Sequence, residues 1–351
     1  MAAPARRIAV VLFNLGGPDS AAAVEPFLVN LFSDPAIIGL PWPLRPLVAR
    51  WIARRRATTA RGIYAKIGDC SPILPNTEAQ AAALAEQLRD LGEVRVYSCM
   101  RYWRPMSDEV AAAVKTFAPD EVVLLPLYPQ FSTTTTASSY QLWGEEAQRQ
   151  GLSAPTRLVC CYPTEPGFVA ASAELVRQGL QRAAAEAPGA RPLVVLSAHG
   201  LPKKIVDDGD PYVSQVEAGA AAIVAQLGLK PDEWVVSYQS RVGPLEWVKP
   251  ATDAVILQAA KDKRALVVYP IAFVSEHSET LVELDIEYRH LADANGATAY
   301  VRVPAVGTHP AFIGGLANLV NAALGRAAAV QPGSGQQHCA SWRRCACKGA
   351  A

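Results

Sequence analysis

Short runs of apolar and β-branched residues recur along the whole chain and alternate with alanine-rich segments. Eight of these runs have the length of strands: 8–15, 94–98, 122–128, 157–161, 193–198, 234–238, 265–269 and 298–303. The segments between them have helical character, among them 77–91, 107–117, 167–185 and 213–227. This alternation predicts repeated βαβ units. Because the strand runs are continuously apolar, they indicate parallel sheets that are covered on both faces.

The four-plus-four division of the strands predicts an α/β protein with two doubly wound domains. A length of 351 residues fits two domains, each with its own core. We place the first domain at 1–165 and the second at 166–330. Residues 331–351 form a separate cysteine-rich tail, because the sequence QPGSGQQ at its start breaks any helix.

Charge and composition exclude several classes of protein. Half of the residues are apolar, and 33 Lys and Arg balance 32 Asp and Glu. A disordered chain or a nucleic-acid binder would need a surplus of one charge, so we expect no nucleic-acid partner. Two long uncharged runs, 122–144 and 303–325, are broken by proline, threonine, asparagine or glycine, and the N-terminus carries no apolar signal segment. We therefore expect a cytoplasmic protein.

Ligands of doubly wound sheets bind beyond the carboxyl ends of the strands, so the residues that follow each strand are the candidates for chemistry. His199 directly follows the fifth apolar run. Near its ordinary pKa of about 6.5, a histidine can accept a proton or bind a divalent cation. A lone histidine is more often structural, so this interpretation needs a partner.

A row of carboxylates follows the seventh strand. Its members are Glu276, Glu279, Glu283 and Glu287, spaced by three or four residues, with His277 between the first two. On a helix this spacing places like charges on one face, where they repel. No Lys or Arg is interleaved before Arg289. Such a row is either a solvated surface or a site where a divalent cation, or protons moving along it, relieves the repulsion.

These segments resemble the ferrochelatases, which insert Fe²⁺ into a porphyrin. The resemblance extends over nearly the whole chain in the right order. It rests on NLGGP at 14–18, GDCSP at 68–72, MRY at 100–102, YPQ at 128–130, SAHGLP at 197–202, YQSRVGP at 238–244 with Trp247, PIAFVSEHSET at 270–280 and ELDIE at 283–287. It implies a class II chelatase-like fold of two Rossmann-like domains around a porphyrin cleft.

The resemblance also implies roles for individual residues. His199 and Glu279 face each other across the porphyrin centre, one as proton acceptor and the other as metal or proton partner. Glu276, Glu283 and Glu287 match the family's acidic path for Fe²⁺ or protons. The positions that match the porphyrin-lining residues of the family are Leu15, Arg101, Tyr102, Trp247 and Phe273. The substrates implied are protoporphyrin IX and Fe²⁺, with protohaem as the product and no organic cofactor.

Ferrochelatases contact membranes through an apolar lip, and residues 37–51 are the local candidate. The apolar side chains of this lip are followed or interrupted by arginines, as expected for a surface on anionic headgroups. These are Arg45, Arg50, Arg54, Arg55 and Arg56. The resemblance thus implies a peripheral position on the inner membrane, and the alternative is an ordinary proline-rich loop that leads into a basic helix.

The tail carries three cysteines, Cys339, Cys345 and Cys347. A [2Fe–2S] cluster needs four such ligands, and the resemblance to cluster-containing bacterial members implies one more from Cys161 or Cys160. Thr133 stands where the animal enzymes have their internal cluster cysteine, so that ligand set does not transfer. The alternative is a tail of reduced thiols or an adventitious zinc site.

Two other functions fit the same residues less well. One is a chelatase of this fold that acts on coproporphyrin or another tetrapyrrole. The other is a haem or iron–sulfur sensor that has lost catalysis. The presence of both His199 and Glu279 argues against a sensor, because a binding protein has no need of a base opposite a carboxylate.

Overall fold

The computed structural model describes residues 6–241, 243–325, 330–333 and 344–346 of the chain. In this part of the protein, the strands form two parallel sheets. All eight predicted strands are present within two residues of the predicted boundaries. The first sheet contains β1 (Arg7–Asn14), β2 (Glu93–Met100), β3 (Glu121–Pro126) and β4 (Thr156–Val159). The second contains β5 (Pro192–His199), β6 (Trp234–Gln239), β7 (Ala265–Pro270) and β8 (Ala299–Arg302).

The described helices connect and cover these strands. They are α1 (Val24–Ser33), α2 (Leu44–Ala65), α3 (Ile73–Gln87), α4 (Ser107–Phe117), α5 (Thr136–Gln150), α6 (Pro166–Glu186), α7 (Lys203–Asp207), α8 (Tyr212–Leu227), α9 (Thr252–Lys261), a π-helix (Glu279–Glu287), α10 (Tyr288–Ala294) and α11 (Pro310–Leu324). The sequence analysis expected α-helical spacing for the carboxylate row. In the structure, Glu279–Glu287 form a π-helix instead, so α-helical spacing does not fix the directions of these carboxylates.

The strand order places a switch point in each sheet. The first sheet has the order β2-β1-β3-β4, and the second has β6-β5-β7-β8. In the first sheet, β2 and β3 lie on opposite sides of β1, and in the second sheet, β6 and β7 lie on opposite sides of β5. Ligands of such sheets bind outside the carboxyl ends of the strands at this switch point. His199 is the last residue of β5. The fold thus delivers this histidine to the switch point of the second sheet.

Both faces of the central strands are buried, as the apolar runs predict. Along β1, Ile8, Val10 and Leu12 join one apolar cluster, whereas Ala9 and Val11 join the cluster on the opposite face. Strand side chains alternate between faces, so a strand that is covered on both sides must be apolar at every position. The α/β fold with parallel sheets is confirmed.

Two helices from the second half of the chain join the two sheets into one body. Helix α6 packs against β7 and β8, and α11 packs against α6, α3 and β4. Close approach of α6 requires Gly179, where an added Cβ would lie 2.6 Å from Val303 Cγ2. A short strand β9 (Val330–Gln331) then pairs with β4 and extends the first sheet. Residues 330–331 thus belong to the first sheet, while the domain boundaries proposed from the sequence stay a prediction.

Candidate active site

The site is built where the carboxyl ends of β5, β6 and β7 meet. The Gly200 amide donates to the Gln239 carbonyl at 2.9 Å, and the Ile271 amide donates to the Ser197 carbonyl at 3.0 Å. These bonds extend the sheet by one residue past each strand. His199, Ser240 and the segment that carries the carboxylates therefore lie side by side at one edge.

His199 and Glu279 are in direct contact. The His199 Nδ1 atom lies 2.8 Å from Glu279 Oε2. Burial alone would lower the pKa of His199, but the Glu279 and Glu283 carboxylates raise it above 6.5. Burial opposes ionisation of Glu279 as well, yet the charge of His199 and its hydrogen bond to Glu279 lower the pKa of Glu279 to about 2. The contact therefore stabilises the imidazolium that forms when His199 takes up a proton.

Ser240 binds both of the central carboxylates. Its amide donates to Glu283 Oε1 at 2.8 Å, and its hydroxyl donates to Glu283 Oε2 at 2.5 Å. The same hydroxyl lies 3.3 Å from Glu279 Oε2. Ser240 has a φ of 63°, a left-handed conformation that is unusual for a residue other than glycine. The sequence analysis did not single out Ser240, although it directly follows β6 at the edge of the sheet where β5 ends in His199.

Glu283 is the most fully bonded member of the row. Besides Ser240, the Gln239 side-chain amide donates to Oε2 at 3.3 Å, and the Tyr288 hydroxyl donates to Oε1 at 3.0 Å. Burial and the neighbouring Glu279 charge raise the pKa of Glu283 above its ordinary value. A carboxylate with this environment can take up a proton beside Glu279.

The two ends of the row bind basic side chains from remote parts of the chain. Glu276 Oε1 accepts from Arg302 Nη1 at 2.5 Å and from the Ala305 amide at 3.0 Å. Glu287 Oε1 lies 3.0 Å from Lys66 Nζ. The sequence argument expected a cation or mobile protons to relieve the repulsion within the row. At these two ends, Arg302 and Lys66 supply the countercharge.

His277 lies next to the pair, as the resemblance implied. Its Nε2 atom is 3.9 Å from Glu279 Oε2, and its ring centroid is 4.5 Å from that of Phe273. Burial lowers the pKa of His277 below 6.5 despite the nearby carboxylates, which favours a neutral ring. The pKa values of the two histidines are therefore shifted in opposite directions, because only His199 makes the close bond to Glu279.

The Trp247 ring lies beside the backbone that directly follows His199. A Cβ added to Gly200 would lie 3.2 Å from the Trp247 ring and 2.9 Å from the Gln239 carbonyl oxygen. Glycine at this position therefore allows the indole to pack against the backbone that follows His199. Trp247 and Phe273, two of the predicted porphyrin-lining residues, thus lie beside His199 and His277 respectively.

The other predicted porphyrin-lining residues lie in the N-terminal half, and two of them bind a buried carboxylate that the sequence analysis missed. Asp34 accepts from Arg101 Nη2 and from the Tyr102 hydroxyl, each at 2.7 Å. The Arg101 Nε atom also donates to Ser138 at 2.8 Å. Leu15 packs in the same apolar cluster as Tyr102. No sequence pattern signalled Asp34, because its partners are distant in the chain.

Helices α2 and α3 reach from the first half of the chain to the carboxylate segment. The Tyr64 hydroxyl bonds to Ser278, and burial raises the pKa of Tyr64 to about 12. The Asn76 side chain donates to the Glu276 carbonyl at 3.2 Å. Gln80, which is fully buried, donates to the Val274 carbonyl at 2.8 Å. The segment that carries the carboxylates is thus held by residues of both halves.

The cysteines predicted as cluster ligands are described only in part. Cys160, Cys161 and Cys345 are buried in one apolar cluster, and the Cys160 and Cys161 sulfurs are 3.6 Å apart. Cys339 and Cys347 lie outside the described residues. Within the described ranges, no group of three His, Cys, Asp or Glu side chains is arranged to hold a metal ion.

The segment predicted as a lip is exposed. Trp42, Leu47 and Trp51 expose 78%, 64% and 56% of their surface, and Ile37, Leu40 and Leu44 are also exposed. The Arg55 guanidinium lies 4.3 Å from the centroid of the Trp51 ring. Among the residues that the structure describes, no helix has the length and apolarity needed to cross a membrane.

Comparison with known proteins identifies the family. The ferrochelatase family model matches residues 7–324. A ferrochelatase of Phenylobacterium zucineum is 51% identical over 346 residues, covering 97% of this chain and 98% of that one. A ferrochelatase of Caulobacter vibrioides is 48% identical over 352 residues, covering 98% of each chain.

A solved structure shows the same fold at low sequence identity. SirB from Bacillus subtilis, determined with Fe³⁺, superposes with a TM-score of 0.52 at 13% identity, covering 91% of this chain and 96% of that one. The two parallel sheets agree with this similarity. The match over residues 7–324 and the identity of about half the positions to full-length relatives show that this chain belongs to the ferrochelatase family.

Proposed function

We propose that this protein inserts Fe²⁺ into protoporphyrin IX to form protohaem, with His199 as the base and Glu279 as its partner. The observation that carries the proposal is the 2.8 Å contact between His199 Nδ1 and Glu279 Oε2 at the switch point of a ferrochelatase-family fold. The reaction removes two N–H protons from a neutral macrocycle and places one divalent ion among four nitrogens. It therefore needs a base, an exit for two protons and groups that replace the water around Fe²⁺.

The geometry assigns these tasks to separate groups. Since Nδ1 of His199 bonds to Glu279, Nε2 is the ring nitrogen left to take a pyrrole proton. The Glu279 carboxylate stabilises the imidazolium that forms, which is why it raises the pKa of His199. Glu283, with its raised pKa, is the acceptor for protons that leave this pair. Carboxylate oxygens and imidazole nitrogens are suitable ligands for Fe²⁺ during its transfer.

Replacing the base tests the proposal. We expect His199→Ala to lower metal insertion by at least about 100-fold, the usual contribution of a general base. Porphyrin binding, followed by fluorescence quenching, should persist, because the walls of the cleft are unchanged. His290→Ala is the matched control, since His290 is exposed on α10. Full turnover in His199→Ala would remove this residue from the mechanism.

The choice of porphyrin is tested by direct comparison. We expect turnover with protoporphyrin IX and Fe²⁺ to exceed turnover with coproporphyrin under the same anaerobic conditions. Both porphyrins present the same four nitrogens to His199, so the difference would come from the side chains at the ring edge. A preference for coproporphyrin would contradict the substrate while leaving the chelation chemistry intact.

We also propose a [2Fe–2S] cluster held by Cys339, Cys345, Cys347 and either Cys160 or Cys161. Support comes from Cys345, which is buried in the same apolar cluster as Cys160 and Cys161 although it lies 184 positions after Cys161 in the sequence (345 − 161). Thiolates in an apolar environment are the ligands that such clusters use. Thr133 does not compete for this role, because its amide and hydroxyl both donate to Asp210 at 2.7 Å.

Anaerobic reconstitution decides whether the cluster forms. We expect visible absorption and, after reduction, an electron paramagnetic resonance signal of a [2Fe–2S] centre. Cys345→Ser should abolish the signal, and only one of Cys160→Ser and Cys161→Ser should do so. Cys99→Ser is the control, because Cys99 is buried beside Ser107 and is not a candidate ligand. A wild-type protein without the signal after reconstitution would refute the cluster.

The exposed lip supports a third proposal, a peripheral position on the cytoplasmic face of the inner membrane. Exposed tryptophans and leucines next to arginines are suited to an interface with anionic headgroups. We expect co-sedimentation with phosphatidylglycerol vesicles that is lost in Trp42→Ser/Trp51→Ser. Tyr140→Ser removes an exposed aromatic residue elsewhere and should have no effect. Equal binding of wild type and the double variant would contradict this proposal.

A further inference from the structure

The two ends of the carboxylate row are neutralised in different ways. At one end, the side chain of Arg302 is only 10% exposed and bonds to Glu276 and Asp285. At the other end, the side chains of Lys66 and Glu287 are 42% and 49% exposed. A buried ion pair resists separation because each charge would be left without solvent, whereas an exposed pair contributes little and opens readily. Of the two ends, only Glu287 can therefore readily exchange its bound cation for an ion from solution.

The backbone of Lys66 is fixed while its side chain is free to move. Lys66 directly follows α2 and caps its end, where its amide donates to the Ile63 carbonyl at 3.2 Å. Its side chain then reaches Glu287, which is 221 positions later in the chain. The ammonium group is thus held within reach of the outer carboxylate by the first half of the molecule. It can leave that carboxylate by rotation of its own side chain.

We propose that Lys66 is an exchangeable cation at the entrance of the metal path and that it sets the affinity for incoming Fe²⁺. The Lys66 ammonium group stays bound to the Glu287 carboxylate until a divalent cation displaces it. The doubly charged ion is attracted more strongly by the carboxylate than the ammonium is, so displacement favours the metal when it is present. This inference rests on the proposed function, because it assumes that Fe²⁺ approaches His199 and Glu279 along the row.

The position of Lys66 also separates the entry of the two substrates. Trp51 and Lys66 lie 15 residues apart in or directly after α2, which corresponds to about 22 Å along an α-helix. The apolar lip and the ion pair of Lys66 with Glu287 therefore lie at distant points along α2. Fe²⁺ enters at the end of α2 that is farther from the lip.

The test is the Michaelis constant for Fe²⁺. We expect Lys66→Met to lower KM for Fe²⁺ by about three- to tenfold at low ionic strength, with KM for porphyrin unchanged, because a competing cation has been removed. The effect should shrink as salt is added, since salt screens the Lys66–Glu287 attraction. Arg61→Met is the matched control: it removes one positive charge from the same helix, and Arg61 pairs with Glu25 outside the row.

A second variant, Glu287→Gln, shows whether Lys66 acts through Glu287. Glu287→Gln should raise KM for Fe²⁺, and adding Lys66→Met to it should have no further effect. An unchanged or raised KM in Lys66→Met, or an equal change in Arg61→Met, would overturn the inference while the metal path stands. A wild-type KM in Glu287→Gln would instead show that Fe²⁺ does not use the outer carboxylate, and the proposed path and the inference would both fail.

Discussion

Proton chemistry at this site depends on one close contact between two residues. The Glu279 carboxylate raises the pKa of His199, and the same contact lowers the pKa of Glu279 to about 2. Glu279 therefore stabilises the fold above pH 4.5, and this contribution is lost as the pH falls toward 2. His199 stabilises the fold below pH 6.5, and its contribution is lost as the pH rises through its raised pKa. The contact between the two residues therefore stabilises the fold most between pH 4.5 and pH 6.5.

Replacing the carboxylate should reverse the shift of the histidine. We expect Glu279→Gln to lower the pKa of His199, because burial then acts without an opposing charge from its closest partner. Nuclear magnetic resonance titration of the imidazole nitrogens would measure it. Glu174→Gln serves as a control, since Glu174 binds His309 and not His199. An unchanged pKa would mean that Glu279 does not control the base.

Ser240 offers a second prediction at the residue scale. Ser240→Gly and Ser240→Ala both remove the hydroxyl that binds Glu279 and Glu283, so both should lower kcat by about tenfold, the effect of one lost bond to a charged group. Glycine adopts a positive φ without strain, so Ser240→Gly should be the more stable of the two in urea unfolding. Wild-type kcat in both variants would show that the hydroxyl is dispensable.

At the scale of elements, the π-helix distributes its carboxylates among different partners. Glu279 and Glu283 both reach Ser240, whereas Glu287 turns to Lys66. The start of the helix is held by Thr280, whose hydroxyl accepts from the His277 amide at 3.0 Å. π-Helical turns are rare and are often found at functional sites. An apolar–polar pattern cannot distinguish such a helix from an α-helix over nine residues.

The inner end of this element depends on Arg302. We expect Arg302→Met to lower the free energy of unfolding by about 3 kcal/mol, because Glu276 would keep a largely buried charge without its partner. Urea denaturation would measure the loss. The double variant Arg302→Met/Glu276→Gln should recover part of it, since the uncompensated charge is then absent. A double variant as unstable as the sum of the single changes would contradict this explanation.

At the scale of the whole molecule, the site exists because the two halves of the chain are joined across it. Helix α11 packs against α3 and β4, and α3 in turn holds the segment before the π-helix. Gln80 is the central link, because its side-chain amide donates to the carbonyls of Val274 and Gly307, and its oxygen accepts from Ser275. The carboxylates are thus positioned by contacts outside their own element.

Removing this link should affect both stability and activity. Gln80→Ala leaves the Gly307 carbonyl without its side-chain donor and the Val274 carbonyl with the Gly307 amide alone, at a cost of about 2 kcal/mol. We expect a lower urea midpoint and a lower kcat, because the segment that leads to Glu279 is no longer held. Gln87→Ala, at the end of the same helix, is the control for the loss of a glutamine. Unchanged stability in Gln80→Ala would show that the halves are joined without it.

Much of the architecture and the centre of the site could be predicted from the sequence. Continuous apolar runs predicted the strands, because a strand covered on both faces has no polar position. The rule for strand ends selected His199, and the spacing of acidic residues selected the segment with Glu279. The strands are confirmed and His199 lies against Glu279, because both signals depend on residues that are neighbours along the chain. The roles of the two site residues stay predictions.

The partners of these residues were decided only by the tertiary structure. Lys66 lies 221 positions from Glu287, and Asp34 lies 67 positions from Arg101, so no periodic pattern connects them. Periodicity reports which face of an element is buried, but it carries no information on which remote charge will meet that face. The sequence by itself therefore determined the strands, the histidine and the acidic row. Folding of the two halves against each other decided that two members of the row bind basic side chains and that two meet Ser240 beside His199.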